Sequence, residues 1–565
     1  MSARTLASVL TERVKGEVRF DPGSRALYAT DASNYRQIPL GLVIPRTADD
    51  IVQTIATCRE FGAPILSRGG GTSLAGQCCN VAVVMDMSKY YNQILELNAA
   101  EKWARVQPGV VLDILRHTAE KQGLTFGPDP ATHNRCTLGG MIGNNSCGVH
   151  ALMAGKTVDN VITLDIATYD GQRFTVGETT DDEYARIVAA GGRRAEIYSA
   201  LRALRDKYAD LIRRRYPNIP RRVSGYNLDD LLPEKGFNVA RALVGTESTC
   251  VTVLEAKVRL VHHPAKRSLV VLGYRDIFEA GDHIPEILEF HPIGLEGIDS
   301  TLLGFEKQKH LNPKTIPLLP KGLGYLMVEF GADTIEEADG QARGMIEALK
   351  RRGSRAEPRL FDNPAETEAI WKIRESGLGA TAFVPGHADA WEGWEDAAVP
   401  PERLGDYLRD FRKLLNRYEY ETALYGHFGQ GCVHCRITFD LVTKPGIDKF
   451  RRFLDDAADL VVHYGGSISG EHGDGQSKAV LLEKMFGPEL VRAFHEFKAI
   501  WDPDNKMNPG KVVNAYSPTE NLRLGTSYNP PRLKTHFTFP EDGGDFAHAA
   551  LRCVGVGECR KTESG

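Results

Sequence analysis

Ser67-Arg68-Gly69-Gly70-Gly71-Thr72-Ser73-Leu74-Ala75-Gly76 decides how the rest of this chain is read. It follows Pro64-Ile65-Leu66, a short strand, so its glycines can bring backbone N–H groups against a phosphate. Two familiar phosphate loops fail on it. A P-loop needs Gly-x4-Gly-Lys-Ser/Thr, and Gly76 is followed by Gln77 and Cys78. A dinucleotide fingerprint needs Gly-x-Gly-x-x-Gly opening a helix, and Gly69-x-Gly71-x-x lands on Leu74. A bare glycine turn would explain the loop if it stood alone. It does not: Phe126-Gly-Pro128-Asp129-Pro130 and Thr137-Leu-Gly139-Gly140-Met-Ile-Gly143-Asn144-Asn145-Ser146-Cys-Gly148 follow downstream. A long cofactor with a pyrophosphate at its middle needs two such walls.

Composition agrees with backbone-built ligand loops. The chain has 565 residues, enough for three or four domains or two large ones. Glycine is the outlier, at 56 residues and clustered rather than periodic, which excludes collagen and low complexity. Apolar residues are 42% and charged residues 25%, an ordinary globular balance. The net charge of −5 leaves no footprint for nucleic acid or an anionic membrane. Ten cysteines in so long a chain are not a disulfide framework. Cys58, Cys78, Cys79, Cys136, Cys147 and Cys250 read as small core residues. Met1 to Val18 carries charges and no apolar h-region, and no apolar run reaches the ~18 residues of a membrane span. A cytoplasmic location is the default expectation.

Element signals alternate through the first half. Thr47 and Asp50 make a capping box ahead of Ile51, Ile55 and Cys58, and Gly62 closes that helix. Strands are expected at Val81–Met85, Trp103–Gln107, Val158–Tyr169 and Val251–Val261, and a helix over Val110–Gln122. His262-His263-Pro264 marks a boundary. Beyond it come a strand at Tyr325–Phe330 and a helix at Ile335–Arg351, and after Val513 a Pro/Asn/Gly-rich loop. The fold class is α+β.

The paired glycine segments resemble the FAD-binding domain of the vanillyl-alcohol oxidase/p-cresol methylhydroxylase superfamily, over nearly the whole chain to Val513. The resemblance implies two α+β subdomains with FAD between them over 1–262. It implies an α+β cap, or substrate, domain over 263–500, a return segment at 501–515 and an irregular tail over 516–565. It places Arg68, Gly69, Gly70, Gly71, Thr72, Ser73, Gly76, Pro128, Asp129, Thr137, Gly139, Gly140, Gly143, Asn144, Asn145, Ser146, Gly148 and Asn508 around the cofactor. Some members bond FAD to a His of the first loop. Here that neighbourhood is Thr72 and Ser73, so the flavin is expected to be non-covalent.

The second half adds metal-like spacing. His427-Phe-Gly-Gln430-Gly-Cys432-Val-His434 sets two imidazoles around a glycine turn, and Ser469-Gly-Glu471-His472-Gly-Asp474-Gly475 offers a carboxylate beside an imidazole. Two His and one Glu with open positions form a catalytic zinc set, though other divalent ions fit, and three unrelated polar loops remain the alternative. Read as a strand, Cys432, His434 and Arg436 share one face, with an apolar face behind. Cys432-Val-His-Cys435 spells C-x-x-C, but a mid-strand pair would point its thiols apart.

These pieces resemble the D-2-hydroxyacid dehydrogenase branch, the group that holds D-2-hydroxyglutarate dehydrogenase, D-lactate dehydrogenase and the flavin-binding polypeptide of glycolate oxidase. Its pattern Gly-His-x-Gly-Asp-Gly-Asn-x-His matches Gly426 to His434, with Gln430 and Cys432 replacing Asp and Asn. The resemblance makes His427, His434 and Glu471 the metal ligands, zinc being the first choice, and His472 the catalytic base. Trp371-Lys-Ile-Arg374-Glu matches a segment whose Arg binds the substrate carboxylate, a planar bidentate task that suits a guanidinium. Arg436 is a candidate second clamp. The family's substrate-side Lys finds no counterpart in Trp391-Glu-Gly-Trp-Glu-Asp396. The implied reaction is hydride transfer from a small D-2-hydroxyacid to FAD, giving a 2-oxoacid. Burial near the metal is expected to keep His472 neutral enough to act as base.

Two other outputs stay open: a same-fold flavoenzyme with non-redox chemistry, such as alkyl-dihydroxyacetone-phosphate synthase, and a non-catalytic electron-transfer subunit. The acceptor is an electron-transfer flavoprotein, a quinone or an iron–sulfur domain, and a homo-oligomer is left open. Leu551-Arg-Cys553-Val-Gly-Val-Gly-Glu-Cys559-Arg560 resembles the entry to the iron–sulfur domain fused behind the flavin domains in longer relatives. A [4Fe-4S] cluster is expected only in a longer form, since a cluster needs about four thiolates and this tail supplies Cys553 and Cys559. Residues after about Tyr516 are expected to be poorly packed.

Overall fold

The computed structural model describes residues 3–553. The fold is α+β, with three principal sheets. The first has the order Glu17–Arg19, Gly41–Ile44, Val83–Asp86, Ile65–Arg68, and all but its outermost pairing is parallel. Its crossover helix, Ala48–Glu60, begins where the sequence says it should. Thr47 caps it and Asp50 closes a capping box, satisfying two orphan N–H groups reciprocally. Ile51, Ile55 and Cys58 lie on its buried face, and Gly62 leaves it at φ 64°.

The second sheet is wholly antiparallel, in the order Ile94–Asn98, Trp103–Val106, Thr252–Arg259, Val161–Ala167, Arg173–Val176. Thr252–Arg259 alternates buried and half-buried residues, the period-2 signature of a strand with one face on the core. The strand expected from Val158 starts later, because Thr157–Asn160 forms a helical turn.

The third sheet follows His262-His263-Pro264. Its order is Glu357–Phe361, Lys266–Tyr274, Gly324–Ala332, Gly294–Asp299, Tyr425–Gly426, again antiparallel. Helix Ile335–Arg351 covers one face with Ala338, Ala342, Met345 and Leu349, one stripe at helical spacing. Gly340 and Gly344 each cost that helix about 1 kcal/mol against alanine. Burial of Met345 and Leu349, about 1.5–3 kcal/mol each, offsets this.

The chain then returns to the first half. The return begins before residue 501: helix Leu482–Trp501 sets Phe494 and Phe497 against Tyr226, and Trp501 against Phe174. Met507 next pairs in parallel with Ile65, extending the first sheet beside the glycine loop. Among the described residues no helix is long and apolar enough to cross a membrane.

Candidate active site

A cleft open to solvent lies between the first two sheets. Arg68, Gly69 and Ser73 of the first loop line it, as do Thr137, Gly139, Gly140, Gly143 and Asn144 of the second segment. That second segment is less a loop than a helix, Leu138–Asn144, with Thr137 as its cap. The helix forms because Thr137 Oγ1 accepts the Gly140 N–H, and Asn145 ends it at φ 57°. A Cβ at Gly140 would meet nothing nearer than 3.3 Å, and one at Gly143 nothing nearer than 4.0 Å. The room left at Gly143 suits a planar, elongated cofactor lying against the helix.

Other expected cofactor residues shape the cleft from behind. Gly70 lies against the Arg135 carbonyl, Gly71 (φ 69°) against the Arg68 guanidinium and Gly76 (φ 83°) against Tyr35. Thr72 is half-buried in the same turn. Arg68 gives its guanidinium to the carbonyls of Cys78 and Thr30, so it holds the loop rather than offering a free cation. Asn145 Oδ1 accepts the Val158 N–H and Ser146 Oγ accepts from Asn144. Gly148 backs onto Asp129, and the Asn508 amide pins the carbonyls of Gln77 and Glu247. Pro128 is buried, and Asp129 is spent on His150, whose Nε2 lies 2.7 Å from Glu329. Cys78, expected in the core, lines the cleft with its thiol 3.0 Å from Ser73 Oγ. Gln77 and Thr246-Glu247-Ser248 also line it and were not singled out by sequence.

The cleft shares a wall with the second centre. Asn144 Nδ2 donates to the carbonyl of Glu471 at 2.8 Å, and Gln77 Nε2 to that of His472 at 2.7 Å. Beyond that wall Glu471 Oε2 lies 3.0 Å from His427 Nε2 and 3.2 Å from His434 Nε2. Each imidazole donates its other N–H away: His427 Nδ1 to Glu296 at 2.7 Å, His434 Nδ1 to the Glu395 carbonyl at 2.8 Å. Those bonds turn both Nε2 atoms toward the Glu471 carboxylate, and the carbonyl on His434 Nδ1 fixes that ring's tautomer. Burial pushes the His434 imidazole below its ordinary value, so it is neutral. An acceptor facing an acceptor in a dry site calls for a cation between them. A tetrahedron with bonds of about 2.0–2.1 Å has edges near 3.3 Å, close to the spacings seen. The three residues therefore fit a divalent metal.

His472 follows Glu471 in the same turn, and its ring stacks on His434 at 5.4 Å. Its Nδ1 sits 3.1 Å from Glu395 Oε1. Asp396 Oδ2 accepts the Glu471 and His472 N–H groups at 3.1 and 2.7 Å, shaping the turn from inside. Lys478 lies on both carboxylates with no exposed surface. The family's substrate-side Lys still has no match within Trp391–Asp396; Lys478 instead neutralises the two carboxylates of that run. Burial opposes charge on His472, but Asp396 and Glu395 outweigh it and hold the imidazole above its ordinary value. Sequence placed neither carboxylate there; a metal cation held at the neighbouring Glu471 would work against them, the balance on which the expected neutral His472 rests.

Three arginines surround the centre. Arg374 reaches Glu296 through Nε and Nη2, both at 2.7 Å, so it shares that carboxylate with His427. Arg436 is 2% exposed and its guanidinium lies 3.0 Å from Glu392, equally buried, so the second clamp is already occupied. Cys432 to Ile437 is an extended, buried run, and the face that His434 and Arg436 share lies against residues 390–395. Cys432 and Cys435 give their thiols to the carbonyls of Asp396 and Trp394. Arg221, missed in the sequence, is fully buried and reaches Cys147, Gln430 and, at 3.5 Å, Glu471.

The tail corrects another expectation in part: residues 531–538 are exposed as expected, but the stretch before them is not loose. Gln476 Nε2 donates to the carbonyls of Ser517 and Glu520, Tyr35 to that of Pro518, and Arg523 N–H to that of Asn34. Residues 517–528 are thus stitched onto the fold, with Leu524 buried, because their backbone groups find partners there. Helix Phe546–Leu551 docks His548 on Asp389. Cys553 is exposed, and Cys559 lies outside the described residues.

Comparison with known proteins agrees with this geometry. Residues 39–177 match the FAD binding domain family, and residues 263–512 match the C-terminal domain of FAD linked oxidases. D-2-hydroxyglutarate dehydrogenase of Pseudomonas putida is 32% identical over 96% of this chain and 55% of that protein. The chain thus spans about half the length of such relatives. Glycolate oxidase subunit GlcD of Bacillus subtilis is 28% identical over 88% of this chain and 95% of its own. The structure of 4-ethylphenol oxidase from Gulosibacter chungangensis superposes with a TM-score of 0.63 at 14% identity, over 92% of this chain and 98% of that one. An alkyldihydroxyacetonephosphate synthase structure superposes at 0.59 with 16% identity, over 90% and 84%. These two share the fold. With a flavin domain and an oxidase C-terminal domain on either side of one wall, the chain belongs to the FAD-linked oxidases.

Proposed function

We propose that the protein is an FAD-dependent dehydrogenase that oxidises a D-2-hydroxyacid to the 2-oxoacid, with a divalent metal, zinc by choice, at His427, His434 and Glu471. The observation that carries this reading is the wall itself. Asn144 and Gln77 line the flavin cleft and hold the carbonyls of Glu471 and His472 on its far side. Bound in the cleft, FAD would supply a two-electron acceptor for the substrate Cα hydride, and a metal held by His427, His434 and Glu471 would supply Lewis acidity toward the hydroxyl. His472 takes the hydroxyl proton at Nε2, its Nδ1 being held by Glu395. Arg374, fixed through Nε and Nη2 by Glu296, presents its remaining edge to the substrate carboxylate. Arg436 stays paired with Glu392. The electrons leave to an external acceptor.

A panel of D- and L-2-hydroxyacids tests this with the FAD-loaded chain under anaerobic conditions, with and without chelator. D-2-hydroxyacids should bleach the flavin, and the chelator should slow them. No bleaching by any D-2-hydroxyacid, with FAD bound, would leave a non-redox flavoenzyme or an electron-transfer subunit.

A further inference from the structure

Two carboxyls in the cleft wall have no part in the reaction above. Glu247 lines the cleft and is 5% exposed; Asp474 is 2% exposed. Glu247 accepts only from neutral donors: the N–H groups of Asp474 and Gly475 at 2.8–3.1 Å, and Gln77 Nε2 at 3.4 Å. Asp474 Oδ2 accepts the Gly225 N–H at 2.7 Å, while its Oδ1 is buried without a hydrogen-bond partner. Among the described residues neither carboxylate forms an ion pair. Lys478 is committed to Asp396 and Glu395, and Lys511 to the amide oxygens of Gln37 and Gln476. Two adjoining carboxylates without a counter-cation are costly in a dry wall.

The backbone there is strained as well. Glu247 and Ser248 stand at φ 53° and 63°, consecutive non-glycine residues in the left-handed region. Such outliers persist only where the surroundings over-determine them, and they cluster at functional sites. Here the Asn508 amide clamps the Glu247 carbonyl. A Cβ at Gly473 would meet Glu247 Oε1, Gln77 Nε2 and Asn144 Oδ1 at 2.5–3.0 Å, so the turn carrying His472 needs glycine to sit on this group.

We propose that Glu247, together with Asp474, is a proton-holding site built into the cleft wall, which takes a proton from solvent when an electron pair enters the cleft. The inference rests on the flavin reading of the cleft and not on the choice of substrate. Hydride brings an electron pair and one hydrogen nucleus, so negative charge in the cleft grows by one. The substrate hydroxyl proton goes to His472; the proton taken by the carboxyl pair comes from water, and no bond to the cofactor forms. Burial and Asp474 together push Glu247 up to about 8, so the pair titrates where the enzyme can be studied. The other titratable groups facing it are Cys78, Tyr226 and Lys511 around Glu247, and Asp396 and Lys478 around Asp474.

The test reduces the FAD-loaded full chain with dithionite in weak buffer and counts protons taken up per flavin with a pH indicator. The wild type should take up at most about half a proton more than Glu247→Gln at pH 8, where the group is already half protonated, with the excess larger above pH 8 and fading below it. Asp474→Asn should shift or shrink the excess as well. Equal counts in wild type and Glu247→Gln at every pH overturn the proposal. If Glu247→Gln fails to fold, equality between wild type and Asp474→Asn does the same. A chain that takes up no FAD at all overturns the flavin reading instead, a different outcome seen before any proton is counted.

Discussion

His427 and Glu296 are joined at 2.7 Å through Nδ1 and Oε1, and the same carboxylate holds Arg374 through its other oxygen. Glu296 has no exposed surface and sits on strand Gly294–Asp299, so one rigid element orients both a proposed metal ligand and the proposed carboxylate clamp. Glu296→Gln should therefore weaken metal binding by roughly 10–100-fold, the usual effect of losing the partner of a ligating histidine. Competition with a chromogenic chelator measures it. Undiminished affinity would show that His427 does not ligate through Nε2.

Base catalysis should show in the pH profile of flavin reduction. His472 must be neutral to accept a proton, and Asp396 and Glu395 raise its value above the ordinary one. The rate should thus rise with pH, and Glu395→Gln should move that rise to lower pH. His472→Ala should cost roughly 10²–10⁴-fold while FAD remains bound. A profile that Glu395→Gln leaves in place would separate the base from His472.

What sequence revealed was local. The capping box at Thr47 and Asp50 needs only neighbours, and it stands as read. His427, His434 and Glu471 come from two short turns with strong spacing, and their side chains meet. Glu296 and Arg221 lie 131 and 250 residues from the partners they hold, His427 and Glu471, and no local pattern marks them. Alternation put His434 and Arg436 on one face, but it carries no sign of Glu392, which meets the guanidinium from a separate segment. The tail misled because Pro/Asn/Gly-rich composition says nothing of the carbonyls that Gln476 and Tyr35 engage.

Substrate charge should be read by Arg374. Arg374→Ala should lower flavin reduction by 2-hydroxyacids far more than by neutral alcohols of similar size. Arg374→Lys should not restore it, because an ammonium cannot hold Glu296 through two nitrogens and a second carboxylate at once. Equal losses for charged and neutral substrates would remove the clamp.

Flavin attachment is settled by acid precipitation. No histidine stands in the first glycine loop, where Thr72 and Ser73 occupy the turn. All yellow colour should pass into the supernatant; colour kept in the pellet would point to a bond, with the Cys78 thiol that lines the cleft as the first residue to replace.

The last prediction concerns how the two halves stay together. His150 belongs to the glycine-rich segment, and Glu329 to the third sheet. The imidazole bridges Asp129 through Nδ1 and Glu329 through Nε2, the latter at 2.7 Å, and Trp371 and Arg267 complete Glu329. Burial disfavours the charged ring, but the two carboxylates raise it from 6.5 to about 9. A group raised on folding contributes its full stabilisation below its unfolded value and loses it as pH climbs through the folded one. Stability from this bridge should hold below about pH 6.5 and fade as pH rises through about 9. On the acid side Asp129 and Glu329, both held below the ordinary carboxylate range, lose their contribution only at low pH. His150→Gln removes the cation and leaves two buried carboxylates, a loss of about 3–5 kcal/mol. Denaturant unfolding at several pH values should show wild type and variant far apart near neutrality and converging above pH 9. A gap that stays constant with pH would mean that His150 packs there as a neutral ring.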